Sequence, residues 1–189
     1  MAQTLAGRVV VVGVCGSIAA YKVAMVVRRL RTAGAEVHVL MTPAAARFVG
    51  PPTFRALARQ PVITDMWDLH SPWDEPHVGL GERADLYLIA PATADMVGKL
   101  AAGLADDLVC ATALATRAPL LVAPAMSEPM ATSPVVQDNL ARLRARGVRV
   151  IGPDRGPLAS GMVGLGRMAE PEAIVAEVAA LLGRRKRRR

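Results

Sequence analysis

Aromatic residues are scarce in this sequence. Two Trp, two Tyr and two Phe make up 3% of its 189 residues, whereas hydrophobic residues of all kinds make up 52%. A core of any size must therefore be built from Ala, Val, Leu and Met. Such a composition is typical of a buried parallel sheet that is covered on both faces by helices.

Cysteine is almost absent, with Cys15 and Cys110 as the two examples. Two cysteines favour a reducing compartment and exclude a disulfide framework. We interpret both as small buried hydrophobic residues. No cluster of His, Cys and carboxylate residues has the spacing of metal ligands, so we expect no metal site.

Long apolar runs are also missing. No uninterrupted run approaches the roughly 18 to 20 residues that span a bilayer, and Arg8 is followed at once by a strand and a polar turn, unlike a signal peptide. The sequence therefore predicts a cytoplasmic protein without a membrane partner.

Positive charge is concentrated at the end of the chain. The net charge is +7, and the six basic residues of RRKRRR, Arg184–Arg189, supply six of these charges. We predict a disordered basic tail at 184–189, with docking of an acidic partner as the alternative. Nucleic-acid binding is not expected, because no basic face with interleaved aromatic residues accompanies the tail.

Strand and helix patterns alternate along residues 1–183, which predicts a single α/β domain with a doubly wound, Rossmann-like parallel sheet. We expect loops at about 42–48, 65–75 and 153–168. The predicted strands are at 8–14, 36–41, near 62, 86–90, 119–123 and 148–151. The predicted helices are at about 17–32, 95–103, 107–115, 134–146 and 171–182, and residues 51–59 form a turn or a short helix.

The turn after the first strand, GVCGSIAAYK, places Gly16 and Ser17 at a helix amino terminus, where free N–H groups favour a phosphate. It matches neither the dinucleotide pattern GxGxxG nor a P-loop. The second strand ends at Met41 and Thr42, without the acidic residue that binds an adenosine ribose. A mononucleotide site and a purely structural turn both remain open, and Thr42 is a further candidate phosphate donor.

His77 is the favoured candidate for acid–base chemistry, because His38 lies in a predicted strand and His70 in the predicted polar loop at 65–75. A structural role is the alternative for His77. Asp107 is interpreted as a helix cap, whereas Asp95 stands where a planar cofactor could be contacted. The segment PAMSEPM is interpreted as a substrate loop or as a helix entry capped by Ser127.

Five motifs in order resemble the flavin-containing cysteine decarboxylases, a homo-oligomeric family: GSIAAYK, PHVGL followed by ADL, APATAD with KLAAGLADDL, PAMSEPM, and GPDRGPLASGMVGLGRMAEP. The resemblance covers about residues 8–182 and implies FMN as the cofactor, His77 as the active-site histidine, and a trimer or dodecamer. It implies that FMN phosphate lies near Gly16, Ser17, Ile18, Thr42 and Ala44, and the flavin ring near Pro91, Ala92, Thr93, Ala94, Asp95 and Ala125.

Two departures from the family pattern concern the substrate side. Where family members have Asn in PxMN, this chain has Ser127, which offers one hydroxyl in place of an amide. Where the coenzyme A enzymes have a cysteine in the flap, this chain has Ser160, whose hydroxyl is far less acidic than a thiol of pKa about 8.5. Ser127, Met130 and Ser160 are the predicted substrate-binding residues.

Loss of the flap cysteine removes the proton donor for the reductive half of the coenzyme A reaction. We therefore predict oxidative decarboxylation of a precursor peptide's carboxy-terminal cysteine to an enethiol, as in the biosynthesis of aminovinyl-cysteine natural products. The first alternative is phosphopantothenoylcysteine decarboxylation. The second is a non-catalytic flavin-binding regulatory protein.

Overall fold

A computed structural model describes residues 4–68 and 72–183 of the chain. The predicted basic tail and His70 lie outside these residues. The strands are β1 (Val9–Val14), β2 (Glu36–Met41), β3 (Val62–Ile63), β4 (Leu86–Ala92), β5 (Leu120–Pro124), β6 (Arg149–Val150), β7 (Asp154–Pro157) and β8 (Val163–Arg167). The α-helices are α1 (Ala20–Thr32), α2 (Pro51–Ala58), α3 (Pro76–Arg83), α4 (Ala94–Ala102), α5 (Leu108–Ala115), α6 (Glu128–Ala131), α7 (Pro134–Ala145) and α8 (Pro171–Gly183), and a 3-10 helix spans Ala45–Arg47.

Six strands form one parallel sheet in the order β3-β2-β1-β4-β5-β6. The chain moves outward from β1 in one direction through β2 and β3, and in the other direction through β4, β5 and β6. The order therefore reverses between β1 and β4. Loops at the carboxyl ends of strands leave a crevice at such a reversal, and ligands of open α/β sheets bind there.

Both faces of the sheet are covered, as the apolar strand sequences require. One buried cluster contains Val10 and Val12 of β1 with residues of α1, α2 and α8. Val11, whose side chain points to the opposite face, belongs to a second cluster with residues of α3, α4, α5 and α7. The predicted doubly wound, Rossmann-like single sheet is confirmed.

The predicted helices and strands do not include helix α3, the 3-10 helix, the short helix α6 or the hairpin β7–β8. Helix α3, which carries His77, was missed because Gly79 and Gly81 weaken its helical pattern. Gly81 has a packing reason, since a Cβ atom there would lie 3.3 Å from the backbone of Ala115 in α5. The helices α3 and α5 can therefore approach closely.

Another unpredicted element is an antiparallel hairpin, β7–β8, in the segment expected to be a loop or flap. Its sequence contains four glycines and lacks the apolar alternation that predicts strands. It forms a separate two-stranded sheet beside the parallel one. Within the described residues, no helix is both long enough and apolar enough to cross a membrane.

Candidate functional site at the carboxyl edge of the sheet

The loops that follow β1 and β2 touch at the sheet reversal. A Cβ atom on Gly16 would lie 2.5 Å from the Cβ atom of Ala44, so only glycine permits this approach of the two loops. The N–H of Thr42 donates to the carbonyl of Val14 (3.0 Å), which extends the β1–β2 pairing into the loops. The structure thus brings the two predicted phosphate segments together.

Backbone N–H groups are available in these two loops. Within the described part of the chain, Gly16, Ile18 and Ala44 donate no backbone hydrogen bond to another residue. The Ser17 Oγ accepts from the N–H of Ala19 (3.3 Å) and the Thr42 Oγ1 accepts from the N–H of Ala45 (3.2 Å). Each hydroxyl proton stays free to donate, so this arrangement can bind an anionic group.

The end of β4 lies beside the end of β5. The N–H of Ala125 donates to the carbonyl of Ala92 (2.9 Å), and Pro91 and Ala92 are buried. Thr93 then caps α4, because its hydroxyl accepts from the N–H of Met96 (3.2 Å). The predicted ring segments, 91–95 and Ala125, are therefore adjacent along this edge.

Asp95 belongs to an ion-pair network that the sequence prediction missed. Lys99 Nζ lies 3.4 Å from an oxygen of Asp95, 3.0 Å from Asp106 and 3.4 Å from Asp107. Burial alone would lower the pKa of Lys99, but its hydrogen bond with Asp106 and the nearby carboxylates raise that pKa above its usual value. The spacing of Asp95 and Lys99, four residues apart in a helix, was a usable signal.

Three donor atoms, from Asp106, Asp107 and Cys110, also lie within 4.8 Å of one another. Burial and the charge of Asp107 raise the pKa of the Cys110 thiol to about 12, so it stays protonated. Metals bind the thiolate, and the Lys99 ammonium forms ion pairs with both carboxylates. We interpret the group as an ion-pair cluster.

His77 lies in the first turn of α3. Its Nδ1 atom is buried and has no hydrogen-bond partner within the described residues. A buried polar atom without a partner is costly in a purely structural role. No hydrogen bond joins His77 to another candidate residue in the described chain.

The predicted substrate loop follows β5. Ser127 occupies the amino-terminal cap position of α6, yet its side chain makes no capping hydrogen bond, so the cap expected as its structural alternative is wrong. Ser127 is exposed, and the exposed fraction of Met130 is 46%. Both side chains face solvent in the single chain and are free to contact a ligand.

Ser160 lies in the turn that joins β7 to β8 and is exposed. That turn is closed by a hydrogen bond from the N–H of Leu158 to the carbonyl of Met162 (2.8 Å). The hairpin docks on the substrate loop through the N–H of Met126, which donates to the carbonyl of Gly166 (2.9 Å). Ser127 and Ser160 therefore lie on two segments that are joined to each other.

Comparison with protein families identifies one match, the family described as Flavoprotein, over residues 2–183. The chain is 48% identical over 176 residues to the coenzyme A biosynthesis bifunctional protein CoaBC of Mycobacterium tuberculosis strain H37Rv, covering 93% of this chain and 41% of that protein. It is 45% identical over 174 residues to CoaBC of Vibrio vulnificus strain YJ016, covering 92% and 43%. The chain thus spans less than half the length of these curated relatives.

Two solved structures are similar to this chain over almost its whole length. The FMN-dependent cysteine decarboxylase SpaF has a TM-score of 0.82 and 32% identity, over 94% of this chain and 98% of that one. A cysteine-to-serine mutant of a PPC decarboxylase, complexed with pantothenoylaminoethenethiol, has a TM-score of 0.81 and 32% identity, over 93% and 98%.

Proposed function

Since this chain belongs to the Flavoprotein family, we propose that it oxidatively decarboxylates a cysteine-derived carboxylate and releases the product as an enethiol. The chain is a flavin-dependent enzyme of the cysteine decarboxylase type, and FMN is its cofactor. The identity of the released product, an enethiol, is what we propose in addition. The observation that carries it is Ser160, which stands where the resemblance expects a proton-donating cysteine.

The two phosphate loops are the proposed site for the FMN phosphate. The N–H groups of Gly16, Ile18 and Ala44 and the hydroxyl protons of Ser17 and Thr42 are the donors. The proposed position of the flavin ring is along residues 91–95 and Ala125. The free N–H groups and the close Gly16–Ala44 contact support this fit, since both leave backbone donors open to an anion.

Bound FMN would supply a two-electron oxidation of the substrate thiol. Because the enethiol is released without being reduced, an external oxidant such as dioxygen must accept these two electrons before the next turnover. The thiol CH₂–SH loses two hydrogens and becomes a thioaldehyde, CH=S. The neighbouring carboxylate then leaves as CO₂, and its bonding electrons form the C=C bond of an enethiolate. The imidazole of His77, whose buried Nδ1 has no partner in the described chain, is the proposed acceptor of a substrate proton.

Ser160 decides what happens to the enethiolate. Reduction of the C=C bond requires a proton donor for one of its carbon atoms. The Ser160 hydroxyl is a far weaker acid than a thiol and cannot serve as that donor. The similar PPC decarboxylase mutant, which also carries serine for a cysteine, is described in complex with pantothenoylaminoethenethiol. That description supports the proposal that a decarboxylase with serine in place of the cysteine releases the enethiol without reducing it.

Two substrates fit this chemistry. A peptide ending in cysteine is supported by the likeness to SpaF and by Ser160. Phosphopantothenoylcysteine is supported by the identity of 45% and 48% with the CoaBC proteins, compared with 32% for SpaF. The comparisons therefore support the coenzyme A substrate better than the peptide, which stays a prediction. A homo-oligomer is likewise a proposal, carried over from the family resemblance.

The test is mass spectrometry of products from the purified FMN-loaded protein, with each substrate supplied separately. An enethiol product is lighter than its substrate by CO₂ and two hydrogens. A product lighter by CO₂ alone contradicts the role of Ser160, and no turnover of either substrate contradicts the proposed function. The substrate that turns over with the higher kcat/KM identifies the branch.

A further inference from the structure

A carboxylate of the substrate loop reaches the backbone of the β7–β8 hairpin. Glu128 directly follows Ser127, and its Oε1 accepts a hydrogen bond from the N–H of Leu165 in β8 (3.1 Å). The partner strand β7 contributes Arg155, whose Nη1 lies 3.9 Å from the same oxygen. The hairpin thus contacts the loop through a side chain as well as through its backbone.

Two glycines of β8 make room for this contact. A Cβ atom on Gly164 would lie 2.6 Å from Oε2 of Glu128, so a side chain there would push the carboxylate away. Gly166 has φ +136°, and a Cβ atom on it would lie 2.1 Å from the carbonyl oxygen of Met126. Position 166 therefore needs glycine for the hairpin to sit against the loop, whereas a side chain at position 164 would displace only the end of the Glu128 side chain.

We propose that Glu128 is a positioning residue that holds the Ser160 hairpin against the Ser127 loop, so that the two serines face the substrate in a fixed relation. The inference rests on the proposed function, because that function assigns substrate contact to Ser127 and Ser160. The hydrogen bond from Leu165 carries the positioning, since the amide has a defined direction. The Arg155 contact is long and its side chain is 72% exposed, and such surface pairs contribute little.

The position of Glu128 in the chain explains why one side chain can have this effect. The residue lies at the start of α6, an element of only four residues, which has little stability of its own. The hairpin is a two-stranded sheet, and an isolated two-stranded sheet is marginal in water. Each segment therefore depends on the contact with the other, and Glu128 supplies a charge-assisted part of that contact.

The first experiment measures amide hydrogen exchange at Leu165 in the FMN-loaded protein with Glu128→Ala, Glu128→Gln and the parent chain. Removing the acceptor in Glu128→Ala is expected to speed exchange at Leu165 by about tenfold or more. Glu128→Gln keeps an acceptor oxygen, so its exchange rate should return to within about threefold of the parent. Glu177→Ala, which removes a carboxylate paired with Arg149 elsewhere on the surface, is the matched control and should leave Leu165 unchanged.

The second experiment compares kinetic constants of the same variants with a substrate that the parent turns over. Glu128→Ala should raise KM by about tenfold with kcat within about threefold of the parent, because the bound substrate and FMN can still react. FMN content, read from the absorption spectrum, should not change. A general loss of folding would instead lower FMN content and kcat together.

An independent variant disturbs the same contact through a residue of the hairpin. Gly164→Ala should displace the carboxylate and raise KM as Glu128→Ala does, and the double variant should be no worse than either single one, because both remove the same contact. Additive effects would overturn the proposal, as would unchanged exchange at Leu165 in Glu128→Ala. Failure of the parent to turn over any substrate contradicts the proposed function alone, because the exchange experiment needs no turnover.

Discussion

At the residue scale, His77 and Ser160 carry the chemical part of the proposal for different reasons. His77 has a buried Nδ1 without a partner among the described residues, whereas Ser160 is exposed at the tip of a hairpin. The first is a buried polar atom for which the described residues supply no hydrogen-bond partner. Ser160 stands where the family resemblance expects a cysteine, and its effect depends on the lower acidity of a hydroxyl compared with a thiol.

His77→Asn is expected to retain FMN and to lower kcat by about 10² to 10⁴, because an amide cannot accept and hold a substrate proton. Absorption at the flavin band and product formation by mass spectrometry give the two readouts. His38→Asn is the comparison variant, since His38 lies inside β2 and is hydrogen-bonded to Glu36 (2.7 Å). Colourless, folded His77→Asn protein would contradict a role limited to substrate.

Ser160→Cys is expected to yield some saturated thiol in addition to the enethiol, because a thiol supplies the acidic proton that the hydroxyl lacks. The two products differ by two hydrogens and are separated by mass. Ser160→Ala is the control, as it removes the hydroxyl without adding an acid. A parent protein that already forms the saturated thiol would contradict the assignment.

At the element scale, the helix α5 depends on its cap. The Oδ1 of Asp107 accepts from the N–H of Cys110 (2.9 Å), and the side chain also contacts Lys99. Asp107→Ala should therefore lower the free energy of unfolding by about 1 kcal/mol or more, a fall in Tm of roughly 2 to 4 °C for a domain of this size. Asp106→Ala, which removes a more exposed carboxylate without a cap, should cost less; an equal cost would argue against capping.

The contact between the β7–β8 hairpin and the loop after β5 can also be tested by mutation. Gly166→Ala must strain a positive φ and also move the carbonyl of Met126, which lies 2.1 Å from the new Cβ atom. Gly103→Ala strains a φ of +74° but meets nothing within 4 Å, and this strain costs about 1 to 2 kcal/mol. Thermal unfolding should show a larger loss for Gly166→Ala. Equal losses would mean that the hairpin does not depend on this contact.

At the scale of the whole molecule, charge is separated along the chain. Residues 20–60 contain seven basic and one acidic side chain, whereas residues 61–183 contain nine basic and fifteen acidic ones. The near-neutral balance of residues 1–183 therefore hides a basic segment at 20–60 and an acidic remainder, which meet where Lys22 pairs with Glu170 and Arg29 with Glu172. Neither the net charge nor the pI of 10.4 describes this surface.

Alkaline stability is a property of the buried core as a whole. Burial and nearby carboxylates raise the pKa of Cys15 and of Cys110, in the latter case from 9.0 to about 12. The folded chain keeps both thiols neutral, so their contribution is fully present below pH 9 and is lost as the pH rises above it. The loss in the free energy of unfolding approaches about 1.4 kcal/mol per pH unit for each thiol.

Denaturant unfolding between pH 8 and 10, below the ordinary pKa of 10.5 for lysine, should show this fall. Cys110→Ala should give a smaller slope against pH, whatever its effect on absolute stability. An unchanged slope would mean that the thiol of Cys110 is not held neutral by the fold.

The order of strands and helices could be predicted because each has a local signal. The runs RVVVVGV and EVHVLM predicted β1 and β2 within one residue, and Gly34 and Gly147 marked the ends of α1 and α7. Helix α3 could not be predicted, because two glycines weaken its pattern and the contact that explains Gly81 is with Ala115, which is distant in sequence.

The sequence by itself determined the layered α/β fold and the candidate residues, since periodicity and short motifs are local properties of the chain. Tertiary structure alone decided that Gly16 contacts Ala44 and that Glu128 accepts a hydrogen bond from Leu165. Each of these contacts joins segments whose approach depends on how the strands are ordered and how the hairpin docks. No local pattern encodes such a distance.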